Sequence, residues 1–352
     1  MGQLGFFDLS RRYDGLDKKK DPLATLAAVV PWESFRAEIQ AALARQDLRT
    51  PAAERKSAAG RKPRDAVLIF KALVVQALYN LSDEQVEYQV RDRLSFMRFL
   101  GLGLEDAVPD ATTLWLYREA LARDGSVERL FAAFDGYLRD QGLLAMGGQI
   151  IDATIVTAPK QRNHRAENEA IKQGETPSGW DARPAKLRQK DVDARWTQKH
   201  GRSYYGYKNH ISLDRRHKLV RRYTVTDAAR HDSQELAALL DTGNTSCEVW
   251  ADSAYRSAEI EAALADQGHV SRIHRRAVRN RKLSQREQQG NTTRSRVRAR
   301  VEHVFGHQAT AMGGKLVRTI GLVRAKMKIG MQNLTYNMSR FAYLHGMAAR
   351  AS

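Results

Sequence analysis

Hydrophobic positions recur at three- and four-residue steps through the first 145 residues, the spacing of amphipathic helices. Trp32, Phe35, Ile39 and Leu43 mark one apolar face, and Val67, Phe70, Leu73, Val74 and Leu78 mark another. Ser82-Asp-Glu-Gln85 has capping-box form and opens a helix through Val86, Val90 and Leu94. Further helices start at Asp110, with Leu114, Tyr117 and Leu121 inward, and at Ser126, with Leu130, Phe131, Phe134 and Leu138 inward. Ahead of them, residues 1–30 read as a loosely structured basic arm, with Arg11-Arg12 and Lys18-Lys19-Lys20 among turn formers. The pattern predicts a helical N-terminal domain over residues 31–145.

At Gly147-Gly148 the period changes. Gln149–Thr157 is rich in β-branched residues and reads as a strand. Residues 159–202 are polar, charged and nearly without apolar periodicity, which predicts an exposed insertion. Tyr204–Leu213 and Lys218–Thr226 read as strands joined by a turn at Asp214. Helix Ser233–Leu240, strand Glu248–Ala251, helix Ser257–Gln267 and a short strand His269–Ile273 follow. A last helix is marked by Val297, Val301, Val304 and Phe305. This order predicts a mixed sheet with helices on both faces over residues 146–352, and an α+β chain as a whole.

Charge sharpens the picture. The 352 residues carry a formal net charge of +18, which favours a polyanionic partner, because Lys and Arg contacts release the counterions condensed on phosphates. The stretch Arg272–Arg300 concentrates Arg275, Arg276, Arg279, Arg281, Lys282, Arg294, Arg296 and Arg298 against a single acid, Glu287. It reads as a phosphate track leading into the last helix. Cys247 is the only cysteine, which excludes an internal disulfide and a multi-cysteine zinc module; it is expected as a partly buried strand residue. No leader is evident, and the most apolar run, Ala66–Leu81, contains Lys71, Gln76 and Asn80 and is too short to span a bilayer comfortably. The expectation is a soluble intracellular protein with no membrane and no small-molecule substrate. His303 and His307 lie four apart, but the Glu-between-His order of zinc proteases is absent.

The chemistry centres on three acids. Asp152 follows Ile150 and Ile151, and Asp252 follows Val249-Trp-Ala, so each belongs to a strand that should be buried. An unpaired carboxylate there needs a cation, hydrogen bonds or a raised pKa. Taken singly, each has an ordinary alternative: a solvent-facing strand end for Asp152, a helix cap for Asp252, an exposed helix acid for Glu302. Taken together, two strand-borne aspartates and a helix-borne glutamate form an all-oxygen ligand set suited to Mg²⁺. A pair of ions about 3.5–4 Å apart would grip the attacking and leaving oxygens of a phosphodiester. Arg298, one turn before Glu302, either orients its carboxylate or grips the scissile strand. Tyr207, Lys208 and His210 in Tyr204-Tyr-Gly-Tyr207-Lys208-Asn-His210 offer stacking and a phosphate contact, although core tyrosines on a β surface explain the aromatics equally well.

At these residues the chain resembles bacterial insertion-sequence transposases of the acidic-triad (DDE) type, in the insertion-sequence-five family. The matching pieces are Ile151-Asp152-Ala-Thr154, Tyr205-Gly-Tyr207-Lys208, Val225-Thr-Asp-Ala-Ala-Arg-His231-Asp232, Ala251-Asp252-Ser-Ala-Tyr255 and Arg298-Ala-Arg-Val-Glu302-His. The helical N-terminal part is similar to that family's N-terminal domain. The resemblance implies a ribonuclease-H-like catalytic fold, with Asp152, Asp252 and Glu302 holding two Mg²⁺ ions and Mn²⁺ able to substitute. It also implies recognition of terminal inverted repeats, strand cleavage and transfer into target DNA, a homodimer or larger assembly on double-stranded DNA, and a bacterial, nucleoid-associated setting in the cytoplasm. The family pattern often has a tyrosine before the arginine and a lysine two turns after the glutamate. Here those positions hold Ser295 and Ala309, and Lys315 and Arg318 are the nearest later cations. Two other readings are a nuclease of the same fold that cuts without joining, and a non-catalytic regulator. The regulator would use helices Ser82–Leu94 and Thr112–Leu121 as a helix-turn-helix-like reader.

Overall fold

The computed structural model describes residues 8–45, 64–199, 201–277 and 281–351. Two compact units divide the chain, residues 1–133 with 334–352, and residues 134–333.

In the first unit, α1 (Asp8–Lys18) and α2 (Pro22–Val29) occupy the segment expected as a loose arm. The second of these helices has a reason to form. Asp21 accepts the Leu23 amide at 3.0 Å, Pro22 sits at the first helical position, and Leu23 and Leu26 are buried. A 3₁₀ turn at Trp32–Phe35 leads into α3 (Arg36–Arg45), and its rings pack on Phe70 of α4 (Ala66–Tyr79) at 6.3 and 5.0 Å. Ser82 and Gln85 form the capping box of α5 (Asp83–Asp92). That helix stops short of Leu94, because Arg93 is extended and α6 (Leu94–Leu100) begins there. Helices α7 (Ala111–Asp124) and α8 (Ser126–Asp140) follow, capped at Asp110 and separated by Gly125 in the left-handed region. Since α6 lies between α5 and α7, these two are not the consecutive pair of a helix-turn-helix. Among the described residues no single helix is long and apolar enough to cross a membrane.

The second unit is built on β1 (Gln149–Thr157), with bounds as the pattern predicts. The insertion that follows is more ordered than its composition indicates, with α9 (Arg165–Lys172), α10 (Pro184–Gln189) and β2 (Arg195–Lys199). Next come β3 (Arg202–Asp214), β4 (Val220–Asp227), the short α11 (Leu236–Leu239), β5 (Glu248–Trp250), α12 (Ala258–Asp266) and β6 (Val270–Ser271). Helices α13 (Gln285–Thr310) and α14 (Leu322–Ala351) close the chain. Strand β3 pairs antiparallel with β1, from Gly206↔Thr157 to Asp214↔Gln149. Its other side is shared by β2 up to Gly206 and β4 from Tyr207 onward, both antiparallel. On the far side of β1, β5 and then β6 run parallel.

Side chains alternate between the two sheet faces. Ile151 packs with Leu236, Leu239, Val249, Tyr255 and Leu264 under α11 and α12. Val156 packs with Tyr205, Tyr207, Ala325 and Ile329 on the opposite face, under α14. Asp152 shares the parity of Val156 and so lies on that second face.

Buried polar groups tie the frame together. Arg221 reaches Asp214 (3.2 Å), Asp135 (2.8 Å) and the Leu143 carbonyl (2.6 Å) from a buried position. The insertion is anchored at Asp191, which accepts the Tyr207 hydroxyl and the amides of Asp193 and Ala194, while its carbonyl accepts the Tyr205 hydroxyl. Asp193 in turn accepts the Leu322 amide at the start of α14 (2.7 Å).

Gly206 stands where β3 passes from β2 to β4, with φ +150°, and a Cβ there would lie 2.3 Å from the Val156 carbonyl and 2.7 Å from the Ala158 amide. Backbone atoms cannot yield to it. Gly206→Ala is therefore expected to cost about 2 kcal/mol or more in urea unfolding, and an unchanged midpoint would refute the close approach.

Candidate active site

The parallel register between β1 and β5 sets Ile150 opposite Trp250. Two residues further on stand Asp152, still inside β1 opposite Ile211 of β3, and Asp252, two residues past the end of β5. Asp252 caps a 3₁₀ turn, Ser253–Tyr255, its Oδ1 accepting the Ala254 amide at 2.7 Å. The cap expected as its ordinary alternative is real, yet it occupies only one carboxylate oxygen. Asp152 is 8% exposed, and its Oδ1 accepts the Ala153 amide at 2.8 Å. Burial raises its pKa; Arg298 opposes that shift, and the charge of Asp252 adds to it.

Helix α13 crosses this face with Val297, Val301, Val304 and Phe305 buried, as the periodicity predicts. The arginine Nη2 of Arg298 donates to Asp152 Oδ2 at 2.6 Å. Glu302 stands four residues further along the helix, a rise of about 6 Å, exposed and with its carboxylate in no hydrogen bond or ion pair among the described residues. Among the described residues no three His, Cys, Asp or Glu side chains stand together as a ready metal-ligand group. The aspartates fit a hard divalent cation by their donor chemistry and shared position, and Glu302 lies one turn from the arginine that touches Asp152.

The β3 residues expected at the DNA are placed otherwise. Tyr207 is fully buried and its hydroxyl is held by Asp191, so it is a core tyrosine. Lys208 pairs with Ile155 across the strands, and His210 with Ala153. Both therefore project from the face opposite Asp152. Lys208 donates to the Arg230 carbonyl (2.7 Å) and pairs with Asp232 (2.8 Å), while His210 is buried against Thr226 (2.9 Å). A period-two reading places the strand next to β1 but does not reveal which face a loop acid will claim.

The basic track is exposed for the most part. Arg276, Lys282, Arg296, Lys315 and Arg318 are solvent-facing. Arg275 and Arg281 share Glu287, at 3.9 and 2.9 Å, and Arg279 lies outside the described residues. The Lys315 carbonyl accepts the amide and hydroxyl of Thr157, pinning this segment to the end of β1. Arg294 is crowded: burial and then the charges of Arg275, Arg256 and Arg272 lower its pKa. Such mutual repulsion among cations is relieved by a polyanion.

Three further residues belong to the site. Tyr255 has a buried hydroxyl with no partner, kept protonated by burial and by the carboxylates of Asp152, Asp232 and Asp252. His274 takes Nη1 of Arg298 at 3.4 Å through Nδ1, and Arg256 belongs to the repelling cluster. The tyrosine lies inside the Asp252 motif and is visible there; the other two are recognisable only from tertiary contacts.

Residues 145–338 match the Transposase DDE domain family, and residues 11–120 match a transposase domain family (DUF772). No solved structure matches the chain. The first match covers more than half of the 352 residues, and the chain belongs to the DDE transposase family. It is a DNA transposase, an enzyme of DNA transposition and recombination whose partner is DNA, in a family that generally uses a divalent metal.

His210 supplies a test of the packing behind the site. Burial pushes its imidazole pKa down from the usual 6.5, with Lys208 and Arg230 adding to the shift and Asp232 and Glu235 opposing it. The unfolded chain then binds the proton more readily, so His210's contribution to stability is present above pH 6.5 and is lost as pH falls below it. The urea midpoint is expected to drop in that acid range, and His210→Gln is expected to flatten the drop; equal slopes would exclude a neutral buried imidazole.

Proposed function

We propose that this transposase recognises the terminal inverted repeats of an insertion sequence of the insertion-sequence-five family and cuts and joins DNA at Asp152, Asp252 and Glu302. The observation that carries the reading is the parallel register of β1 and β5, in which Asp152 within β1 and Asp252 just past β5 each follow the paired Ile150 and Trp250 by two residues, with α13 laid across this face. The strand order β4–β3–β1–β5–β6, antiparallel up to β1 and parallel beyond it, supports a ribonuclease-H-like frame. Helices on both sheet faces support it too.

Asp152 and Asp252, with Glu302 brought in from α13, would hold two Mg²⁺ ions that activate the attacking oxygen and stabilise the departing one. In cleavage, the oxygen of water bonds to phosphorus as the strand's P–O bond breaks. In joining, a DNA 3′-hydroxyl forms the new P–O bond and the target strand leaves with its own 3′-hydroxyl. Arg276, Lys282, Arg296, Lys315 and Arg318 supply sequence-independent phosphate contacts along the approach, and specificity falls to groups that reach base edges. Two bound ends imply at least a dimer on DNA.

The test is strand transfer from a labelled duplex carrying the element's terminal repeat, with Mg²⁺ or with EDTA. Asp152→Asn, Asp252→Asn and Glu302→Gln are each expected to lose joined product by at least about 100-fold while retaining DNA binding, since even outer partners of metal ligands cost 10–100-fold. Product from any of the three at the wild-type rate would overturn the assignment, and cutting without joining would make the protein a nuclease.

A further inference from the structure

Arg298 occupies the place of a cation. Asp152 is buried on the face under α13, one oxygen already committed to the Ala153 amide, and a buried carboxylate requires a countercharge. Arg298 Nη2 provides it at Oδ2, 2.6 Å away. Apart from that contact the guanidinium is poorly held. Its Nε is buried with no partner, and Nη1 meets only His274 Nδ1 at 3.4 Å, a long hydrogen bond. An arginine built solely to fix a carboxylate would spend its fork on two of that carboxylate's oxygens. Here Oδ1 is turned to the backbone and the fork is half empty.

We infer that Arg298 is the exchangeable counter-ion of Asp152: it neutralises the carboxylate until a divalent cation takes Oδ2, and its released guanidinium then grips a DNA phosphate. The inference rests on reading Asp152 and Asp252 as the ion-binding pair. Two cations at one oxygen repel each other, so the arginine contact and the ion compete. A phosphate matches the guanidinium fork and draws it away from Asp152, which favours the ion; by linkage, the ion favours the phosphate to the same degree. DNA and metal thus bind cooperatively through one side chain, and the ion-free protein keeps its buried aspartate neutralised.

The experiment is Mn²⁺ binding to the full chain by calorimetry, in wild type, Arg298→Gln, Arg298→Lys and Asp252→Asn, each checked for folding by thermal melting. Arg298→Gln is expected to tighten Mn²⁺ by about 5- to 150-fold, the usual span of coupled sites, and Arg298→Lys by less. Duplex DNA is expected to tighten Mn²⁺ in wild type and to lose that effect in Arg298→Gln. Unchanged or weaker Mn²⁺ binding in both Arg298 substitutions, with binding still abolished by Asp252→Asn, would make Arg298 a fixed positioning group and leave the ion site standing. Equal enhancement by DNA in wild type and Arg298→Gln would overturn the phosphate exchange. Absence of Mn²⁺ binding in wild type would sink both the inference and the ion site beneath it.

Discussion

The register of β1 is the constraint on which the site depends. The strand is held on both sides, antiparallel to β3 over nine paired residues and parallel to β5 with Ile150 opposite Trp250. Side chains alternate, so a slip of one residue would send Ile151 under α13 and Asp152 into the apolar layer of Leu236, Leu239 and Val249. Double pairing makes that slip costly. It also commits the molecule to a charge beneath a helix, and Arg298 is the answer α13 supplies. The position of α13 is thus set partly by its apolar stripe and partly by the electrostatics of one strand residue.

Much of this was legible in the sequence. β1 is predicted to the residue, and the expected helix starts at Ser82, Asp110 and Ser257 are real caps. What stayed hidden depends on long-range contacts. The insertion lacks apolar periodicity, yet it is ordered by Trp180, which is buried, and by Asp191, which gathers two tyrosines from β3. The sequence leaves those tyrosines open between a stacking platform and a core, because a hydroxyl's partner fourteen or sixteen residues upstream leaves no local signature. Lys208 is hidden for a similar reason: Asp232, at the start of a 3₁₀ turn, pairs with it on the other face. The segment before Pro22 reads as loose from its lysines, although Asp21 and Pro22 start a helix that buries Leu23 and Leu26.

The basic residues fall into two populations with different work. Arg221 and Arg139 are spent inside the fold on specific carboxylates, Asp135, Asp214 and Asp241. Arg256, Arg272, Arg275 and Arg294 crowd one another, with Glu248, Glu261 and Glu287 returning only part of the charge. Stability alone gives no reason to hold four guanidinium groups within mutual influence; a phosphate backbone gives one. The net charge of +18 is therefore a local property as well as a global one.

Cys247 is exposed, in contrast to the strand-buried position its neighbours predict, and its carbonyl accepts the Val270 amide as β5 and β6 begin to pair. It is the only thiol in the chain, one residue before β5, and precedes Asp252 by five residues. A maleimide dye or a spin label would therefore attach at one defined point, without mutagenesis, beside the rigid element nearest the chemistry. The protein comes with its own spectroscopic address, from which the approach of a labelled DNA end can be timed.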